Sequence, residues 1–284
     1  MRKTHSSPEA VVIVPGSAAA WRVALRPKTL WIATIPVVVA TCLAWSLARA
    51  FDAGVAAIAL AAAVLMQVVT NLQNDVGYTQ RGGETGSRVG LPRATANGWL
   101  SVGAVKRAIA AAIVAAWAYM GGPRPIAYTP FGEFTVFVFF GLVAVGGTYY
   151  VQAGTIVIEA LLTGAAIGAV AAAVLLVNNF RDRAHDATTG RRTLPVVLGV
   201  RGSQATYALL LAAPFVLAVA IAWSARSAWF ALPLLALPSA ARLVATFRTA
   251  PPGLALTGLM FRTVKLEIAF GALLSAAALI HRAG

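Results

Sequence analysis

The chain has 284 residues, of which 59% are hydrophobic and 11% are charged, and its formal net charge is +14. Its mean hydropathy is +0.78, whereas soluble domains contain about 45–50% apolar and about 25% charged residues. This composition excludes a water-soluble helical domain. The excess of Lys and Arg falls in short loops between apolar blocks, which is typical of cytoplasmic loops in membrane proteins, so we do not expect a nucleic-acid partner.

The N-terminal segment lacks the apolar core of a secretory signal peptide. Residues 1–21 are predicted to form a disordered cytoplasmic tail, and residues 22–284 a single transmembrane domain. Arg22, Arg26 and Lys28 precede the first apolar block. Because basic residues stay in the cytoplasm, they place the start of that block on the cytoplasmic face.

Seven apolar blocks follow, each close to the ~20 residues that a helix needs to cross a bilayer. A backbone surrounded by lipid must satisfy its own hydrogen bonds, so each block is predicted to be helical. The sequence therefore predicts an all-α integral membrane protein with these seven full spans: Leu30–Leu47, Ala53–Thr70, Phe134–Val151, Thr155–Val177, Ala205–Trp223, Ala228–Val244 and Leu266–Ile280.

An eighth apolar segment, Ala108–Met120, is too short to cross. At 1.5 Å per residue it reaches about 20 Å, against a hydrocarbon core of about 30 Å. The basic loops on its two sides, 71–107 and 181–201, are both expected in the cytoplasm, and three crossings between them would separate them. We therefore predict a partial helix that returns to the cytoplasmic side.

Polar residues gather at the ends of two spans with the same spacing. The first group begins with Asn71, Asn74 and Asp75, and the second contains Asn178, Asp182 and further residues of that stretch. Residues four apart are neighbours on a helix face, so each Asn-x-x-x-Asp pattern presents an amide and a carboxylate together. The other candidates are Glu84, Arg88 and Arg93 in the first group, and Asn179, Arg181, Asp186 and Arg191 in the second.

These residue types suit a diphosphate held at the lipid–water boundary. Mg²⁺ prefers oxygen ligands, often one or two carboxylates together with phosphate oxygens, and arginine binds phosphate oxygens bidentately. The plainer alternative is a pair of polar loops in which each Asp forms an ion pair with an Arg. A transporter is disfavoured, because transporters place their site near the bilayer midplane.

The chain resembles the UbiA-type membrane prenyltransferases, and within them the 1,4-dihydroxy-2-naphthoate polyprenyltransferase branch of menaquinone synthesis. The resemblance is most specific over Asn178–Gly199. The other segments that carry it are Arg26–Leu30, Asn71–Arg93, Gly121–Tyr128, Gly132–Glu133, Phe139–Gly141 and Gly147–Tyr150.

This resemblance implies a helical bundle with a central cavity open to lipid, and Mg²⁺-dependent transfer of a polyprenyl group from its diphosphate to an aromatic acceptor. Asp75, Glu84, Asp182 and Asp186 would hold the metal, and Tyr149 would stabilise an allylic cation. The remaining residues would bind substrate: Asn71, Asn74, Asn178 and Asn179 beside the carboxylates, and Arg88, Arg93, Arg181 and Arg191 on the diphosphate. The expected location is the plasma membrane, with both acidic motifs in the cytoplasm.

The chain departs from the family pattern at two places. Tyr78 stands where the family has Asp, and the 106–121 region has room for one short segment where the family has a pair of helices. The cavity wall is then missing or replaced, for example by a second protomer, so a homo-oligomer is among the expected partners. These departures leave open a second function, a non-catalytic or divergent membrane protein that binds isoprenoid diphosphates or quinones.

Overall fold

A computed structural model describes residues 13–80, 95–98, 101–104, 106, 128–251 and 253–283 of the chain. Within these ranges no strand occurs, which confirms the prediction of an all-α protein. The main helices, in chain order, are α1 (Ala18–Leu25), α2 (Trp31–Ala48), α3 (Ala53–Gln80), α4 (Gly132–Ala153), α5 (Ile158–Thr188), α6 (Leu194–Ser224), α7 (Ala228–Thr249) and α8 (Leu254–Ala283).

Among the described residues, helices α2 to α8 are the seven that are long and apolar enough to cross a membrane. They correspond one to one with the seven predicted spans, so that prediction is confirmed. The predicted partial helix Ala108–Met120 lies outside the described residues. The predicted boundary between the N-terminal tail and the transmembrane domain, at residue 21, falls within α1 and stays a prediction.

The helix ends differ from the predicted spans, because hydropathy marks where lipid ends and not where a helix ends. The span predicted to stop at Val177 continues as α5 to Thr188. Gly190, with a φ of +74°, lies just beyond it and supplies the left-handed residue that commonly follows a helix end. The second polar group is therefore helical as far as Asp186, as the shared helix face of Asn178 and Asp182 predicted. The predicted loop 181–201 begins only after Thr188.

Helix α5 is the centre of the bundle and packs against α4, α6 and α8. Its contact with α4 depends on small residues, which let membrane helices approach closely. Gly164 and Gly168 of α5 face Gly141 of α4, where a Cβ on Gly168 would overlap the carbonyl oxygen of Phe137. This contact fixes the start of α4 beside the polar end of α5.

Aromatic packing attaches the polar end of α5 to the last three helices. The ring of Phe180 lies 4.7 Å from that of Phe247 on α7, which lies 4.6 Å from Tyr207 on α6. The Tyr207 hydroxyl is 2.7 Å from the hydroxyl of Thr263 on α8. The second motif consequently stands on a frame built by four helices.

Candidate functional site

The second motif contains a buried ion pair between adjacent residues of α5. Nε and Nη2 of Arg181 donate to the two carboxylate oxygens of Asp182 at 3.0 and 2.9 Å. The same guanidinium donates to Asn178 Oδ1 at 2.9 Å and to Thr257 Oγ1 of α8 at 3.2 Å. A bidentate arginine–carboxylate pair fixes geometry as well as charge. Arg181 therefore orients Asp182 and joins α5 to α8.

Asp186 lies one turn further along α5 and pairs with Arg191 across the helix end. Arg191 Nη1 donates to Asp186 Oδ1 at 2.7 Å, and its guanidinium lies over the ring of Tyr128 at 4.7 Å. The Arg192 backbone N–H donates to the Tyr128 carbonyl oxygen at 3.0 Å. Burial lowers the pKa of Arg191 to about 10, which still leaves a cation at neutral pH.

The first motif is held by hydroxyl and amide contacts at the end of α3. Asp75 is fully buried, and its Oδ1 accepts from the Thr95 N–H at 2.9 Å and from the Thr95 hydroxyl. One turn earlier, Asn71 Nδ2 donates to the Leu25 carbonyl oxygen at 2.9 Å and to Thr29 Oγ1 at 3.0 Å. Asn71 thereby ties α3 to the connection between α1 and α2.

The two motifs meet at one cavity, which has a volume of about 110 Å³. Asn71 and Asn74 of the first motif and Asn178 of the second line its polar side. The rest of the wall is mostly apolar and comes from α2, α4, α5 and α8: Ile32, Val136, Phe140, Ala171, Val174, Leu175 and Met260. This combination can hold a molecule with a polar head and a hydrocarbon part.

Two residues near the cavity were not predicted as site residues. Glu133 is 3% exposed at the start of α4, and its Oε1 accepts from Asn179 Nδ2 at 2.9 Å. Arg26 also lines the cavity, whereas its position in the sequence indicated only a basic residue before the first span. The available signal for Glu133 was a carboxylate immediately before the predicted span that begins at Phe134. Nothing in the local sequence indicates its contact with Asn179.

Tyr149 is the predicted site residue that the structure places elsewhere. It is fully buried in α4, one turn before that helix ends at Ala153, and the following connection leads to the start of α5. The carboxylates lie at the other end of α5, a helix of 31 residues or about 46 Å. Within the described part of the chain, the Tyr149 hydroxyl has no hydrogen-bond partner.

The remaining predicted residues lie outside the described ranges: Glu84, Arg88 and Arg93. Among the residues that are described, no three His, Cys, Asp or Glu side chains are grouped closely enough to hold a metal ion. The available ligands are the buried carboxylates of Asp75, Asp182 and Asp186 and the neighbouring amides. Carboxylate and carbonyl oxygens suit Mg²⁺ rather than the metals that prefer sulfur or imidazole.

Comparison with known proteins identifies the family. Residues 93–263 match the model of the UbiA prenyltransferase family. The chain belongs to this family. It is 34% identical to the 1,4-dihydroxy-2-naphthoate octaprenyltransferase of Escherichia coli over 279 residues, which cover 87% of the chain and 90% of that protein. The Mycobacterium tuberculosis protein of the same name is 35% identical, with 84% and 89% covered.

Solved structures of the UbiA family share the fold. A UbiA homologue from Aeropyrum pernix superposes with a TM-score of 0.66 at 17% identity, over 86% of this chain and 96% of that one. A homologue from Archaeoglobus fulgidus, bound to GPP and Mg²⁺, gives a TM-score of 0.58 at 16% identity, over 90% and 99% of the two chains. These structures show the fold, and the family model with the relatives of 34–35% identity confirms the predicted membership of the UbiA-type prenyltransferases.

Proposed function

We propose that this chain is an aromatic prenyltransferase that moves a polyprenyl group from its diphosphate to 1,4-dihydroxy-2-naphthoate, in menaquinone synthesis. The activity named for relatives that are 34–35% identical over most of the chain supports this acceptor. The structural observation that carries the proposal is the cavity where Asn71 and Asn74 face Asn178. It joins a polar end made from both motifs to an apolar wall.

The donor set fits Mg²⁺. Asp75 in the first motif, and Asp182 and Asp186 in the second, would hold Mg²⁺ together with diphosphate oxygens, and Glu84 is proposed as a further ligand from its sequence position. When bound, Mg²⁺ supplies charge stabilisation for phosphate oxygens. The chain's own cations act on the same group, because Arg181 and Arg191 already lie beside these carboxylates. Arg88 and Arg93 are proposed for the same role.

The reaction breaks the bond between the allylic carbon and the diphosphate oxygen, and the electron pair leaves with the diphosphate. The naphthoate ring carbon then forms a bond to the allylic carbon, and the ring loses its carboxylate as CO₂. The residues that favour the first step are those that stabilise the departing negative charge, as in other preorganised electrostatic sites. We assign this task to Arg181, Arg191 and the amide of Asn178.

The apolar wall serves the other half of the reaction. Val136, Phe140 and Leu175 exclude water from the cavity, so a reactive allylic centre meets the aromatic acceptor before it meets a hydroxyl. The cavity volume of about 110 Å³ is below the ~300 Å³ of a typical ligand pocket. It therefore holds the reactive end of the substrate, while the polyprenyl tail leaves between helices into the lipid.

The location follows from the spans. The chain is a multi-pass membrane protein, and we propose the inner membrane with the N-terminus and both acidic motifs in the cytoplasm. A polyprenyl diphosphate reaches the site from the lipid and the acceptor reaches it from the cytoplasm. A homo-oligomer in which a second copy completes the cavity wall remains part of the proposal.

A direct assay tests the function. The purified protein is incubated with a polyprenyl diphosphate, 1,4-dihydroxy-2-naphthoate and Mg²⁺, and the prenylated product is followed by mass. We expect product that disappears with a chelator and with Asp186→Asn, and that persists in Asp52→Asn, which changes an exposed carboxylate in the turn between α2 and α3. Absence of product from folded protein would sink the proposal. Diphosphate binding without turnover would indicate the non-catalytic alternative.

A further inference from the structure

A second cavity lies on the outside of the bundle, between α7 and α8, and has a volume of about 280 Å³. Three of its lining residues are cations: Arg242 of α7, and Arg262 and Lys265 of α8. None of its lining residues is acidic. We call this cavity the basic groove. It does not include a residue of the proposed catalytic site.

The position of the cations along α7 and α8 places the groove near the predicted start of the last span, Leu266–Ile280. Arg242 and Arg262 each lie about two helical turns from the ends at which α7 and α8 are connected. That end of α8 is also the end of the carboxylates, because Thr257 accepts from Arg181. Long basic side chains near a helix end extend their charge toward the head-group layer, where the three cations converge.

The floor of the groove is hydrocarbon. Leu243 and Leu266 are 6% and 4% exposed, and Ala269 continues the lining deeper along α8 with its side chain exposed. Cations lie above and an apolar strip runs below along the lipid-facing side of two spans. A phosphate at the top would therefore have acyl chains directly beneath it.

Three unbalanced cations facing lipid are costly unless an anion accompanies them. The acid nearest in sequence, Glu267, is fully buried and turned away from the groove, which is lined by its neighbours Lys265 and Leu266. A second copy of the chain cannot be the partner across a two-fold axis, since it would present the same positive groove. Basic pockets between membrane helices are known binding places for lipid phosphate groups.

We propose that the basic groove binds an anionic phospholipid, with the phosphate between Arg242, Arg262 and Lys265 and the acyl chains along α8. The negative charge of the lipid phosphate neutralises the positive charge of this surface, and the contacts of the lipid hold α7 against α8. This site requires no prenyl transfer, so its test is independent of the proposed function.

Native mass spectrometry of the delipidated full chain in detergent tests the site, with phosphatidylglycerol compared with phosphatidylcholine of the same acyl chains. We expect the wild-type chain to bind phosphatidylglycerol at least about tenfold more tightly. Each of Arg242→Gln, Arg262→Gln and Lys265→Gln should weaken that binding about fivefold, and the triple variant about a hundredfold. Exposed positions should leave the fold intact, which circular dichroism and size-exclusion profiles check.

The matched control is Arg248→Gln, which removes an exposed cation from the same end of α7 but outside the groove lining. We expect it to keep wild-type affinity. Equal loss in Arg248→Gln would mean general surface charge and overturn the site. So would unchanged binding in the triple variant, or an equal affinity for phosphatidylcholine. Displacement of the lipid by an equal concentration of inorganic phosphate would identify a soluble-anion site instead.

Discussion

Helices α3 and α5 carry the same Asn-x-x-x-Asp pattern at one end, yet the bundle holds them very differently. In the most apolar 18-residue stretch of α5, 78% of the residues are buried inside the protein, whereas the same share in α3 is 11%. Helix α5 is clamped through Gly164 and Gly168 against α4 and through Phe180 against α7. The polar end of α3 packs Leu72 and Val76 against the short helix α1. It is tied further by hydrogen bonds that Asn71 donates and Asp75 accepts.

The contrast indicates that different interactions hold the two motifs of the site in place. Packing fixes the second motif before any ligand arrives, so its carboxylates form a prepared surface. The first motif is held by a small apolar cluster with α1 and by a few polar bonds, each worth about 0.5–1.5 kcal/mol. We therefore expect α3 to be the side that adjusts when a metal or diphosphate binds.

The largest effect should come from the prepared side. Asp182→Asn removes the charge that Arg181 pairs with, and we expect the rate of prenyl transfer to fall about 10²–10³-fold, as for loss of one preorganised electrostatic group. Initial rates at saturating Mg²⁺ measure this. Wild-type rates in Asp182→Asn would show that the chemistry does not involve this end of α5.

Changing the α4–α5 contact attacks the packing itself. A Cβ at Gly168 would overlap the Phe137 carbonyl oxygen, whereas a Cβ at Gly147 meets open space. Gly168→Ala should destabilise the protein by about 1–3 kcal/mol, and Gly147→Ala should be neutral or stabilise it by up to about 1 kcal/mol. Thermal unfolding in one detergent compares the two. Equal Tm values would contradict the claim that this contact positions α5.

The polar tie on α3 can be removed separately. Thr95→Val deletes the hydroxyl that bonds Asp75 and should cost about 1–2 kcal/mol locally. Hydrogen exchange at the end of α3 should accelerate while that of α5 stays unchanged. Thr188→Val, which removes an exposed hydroxyl bonded within α5, is the control. Faster exchange in both helices would mean that the two halves are not held independently.

A smaller change should follow from Arg191→Lys. Lysine keeps the charge beside Asp186 but loses the planar group that lies over Tyr128. We expect a loss of about 1 kcal/mol of transition-state stabilisation, which appears as an about fivefold lower kcat for the prenyl diphosphate. Steady-state kinetics separate KM from kcat. A rise in KM alone would place Arg191 in substrate binding and not in the stabilisation of the departing diphosphate.

The smallest effect on the reaction is expected from Tyr149→Leu, which removes the aromatic ring that would stabilise a cation. Because Tyr149 lies at the opposite end of the bundle from the carboxylates, the rate of prenyl transfer should change less than about twofold, as for a substitution remote from the site. A large fall in kcat with unchanged stability would restore the role in stabilising a cation that the sequence predicted.

The sequence predicted the spans well because runs of apolar residues report directly on lipid. It placed the boundaries of α5 and α6 too far apart, since polar residues continue both helices and only residues 189–193 separate them. Gly199, with a φ of +67°, interrupts α6 by a kink near its start. The stop near Gly190 is a backbone signal that hydropathy does not contain. Hydropathy thus marks where the helix leaves the lipid, whereas the glycine marks where the helix itself ends.

Site residues that belong to a repeated sequence pattern could be predicted. Site residues that are brought together only by tertiary contacts could not. The two Asn-x-x-x-Asp patterns brought Asn71 and Asn178 to one cavity as expected. The pairing of Glu133 with Asn179 joins two helices, and no local spacing encodes it. The position of Tyr149 likewise depends on where α4 ends, because one turn of helix separates it from the connection to α5.

Helix α5 spans 31 residues, so it is about 16 Å longer than the hydrocarbon core, and this excess carries the second motif. The catalyst therefore works where two phases touch and draws one reactant from each. The concentration of its isoprenoid substrate that determines the rate is a number of molecules per membrane area, whereas that of the naphthoate is a number of molecules per volume of water. Diluting the bilayer with inert lipid should slow turnover at constant bulk concentration, as it does for any catalyst that feeds from a surface.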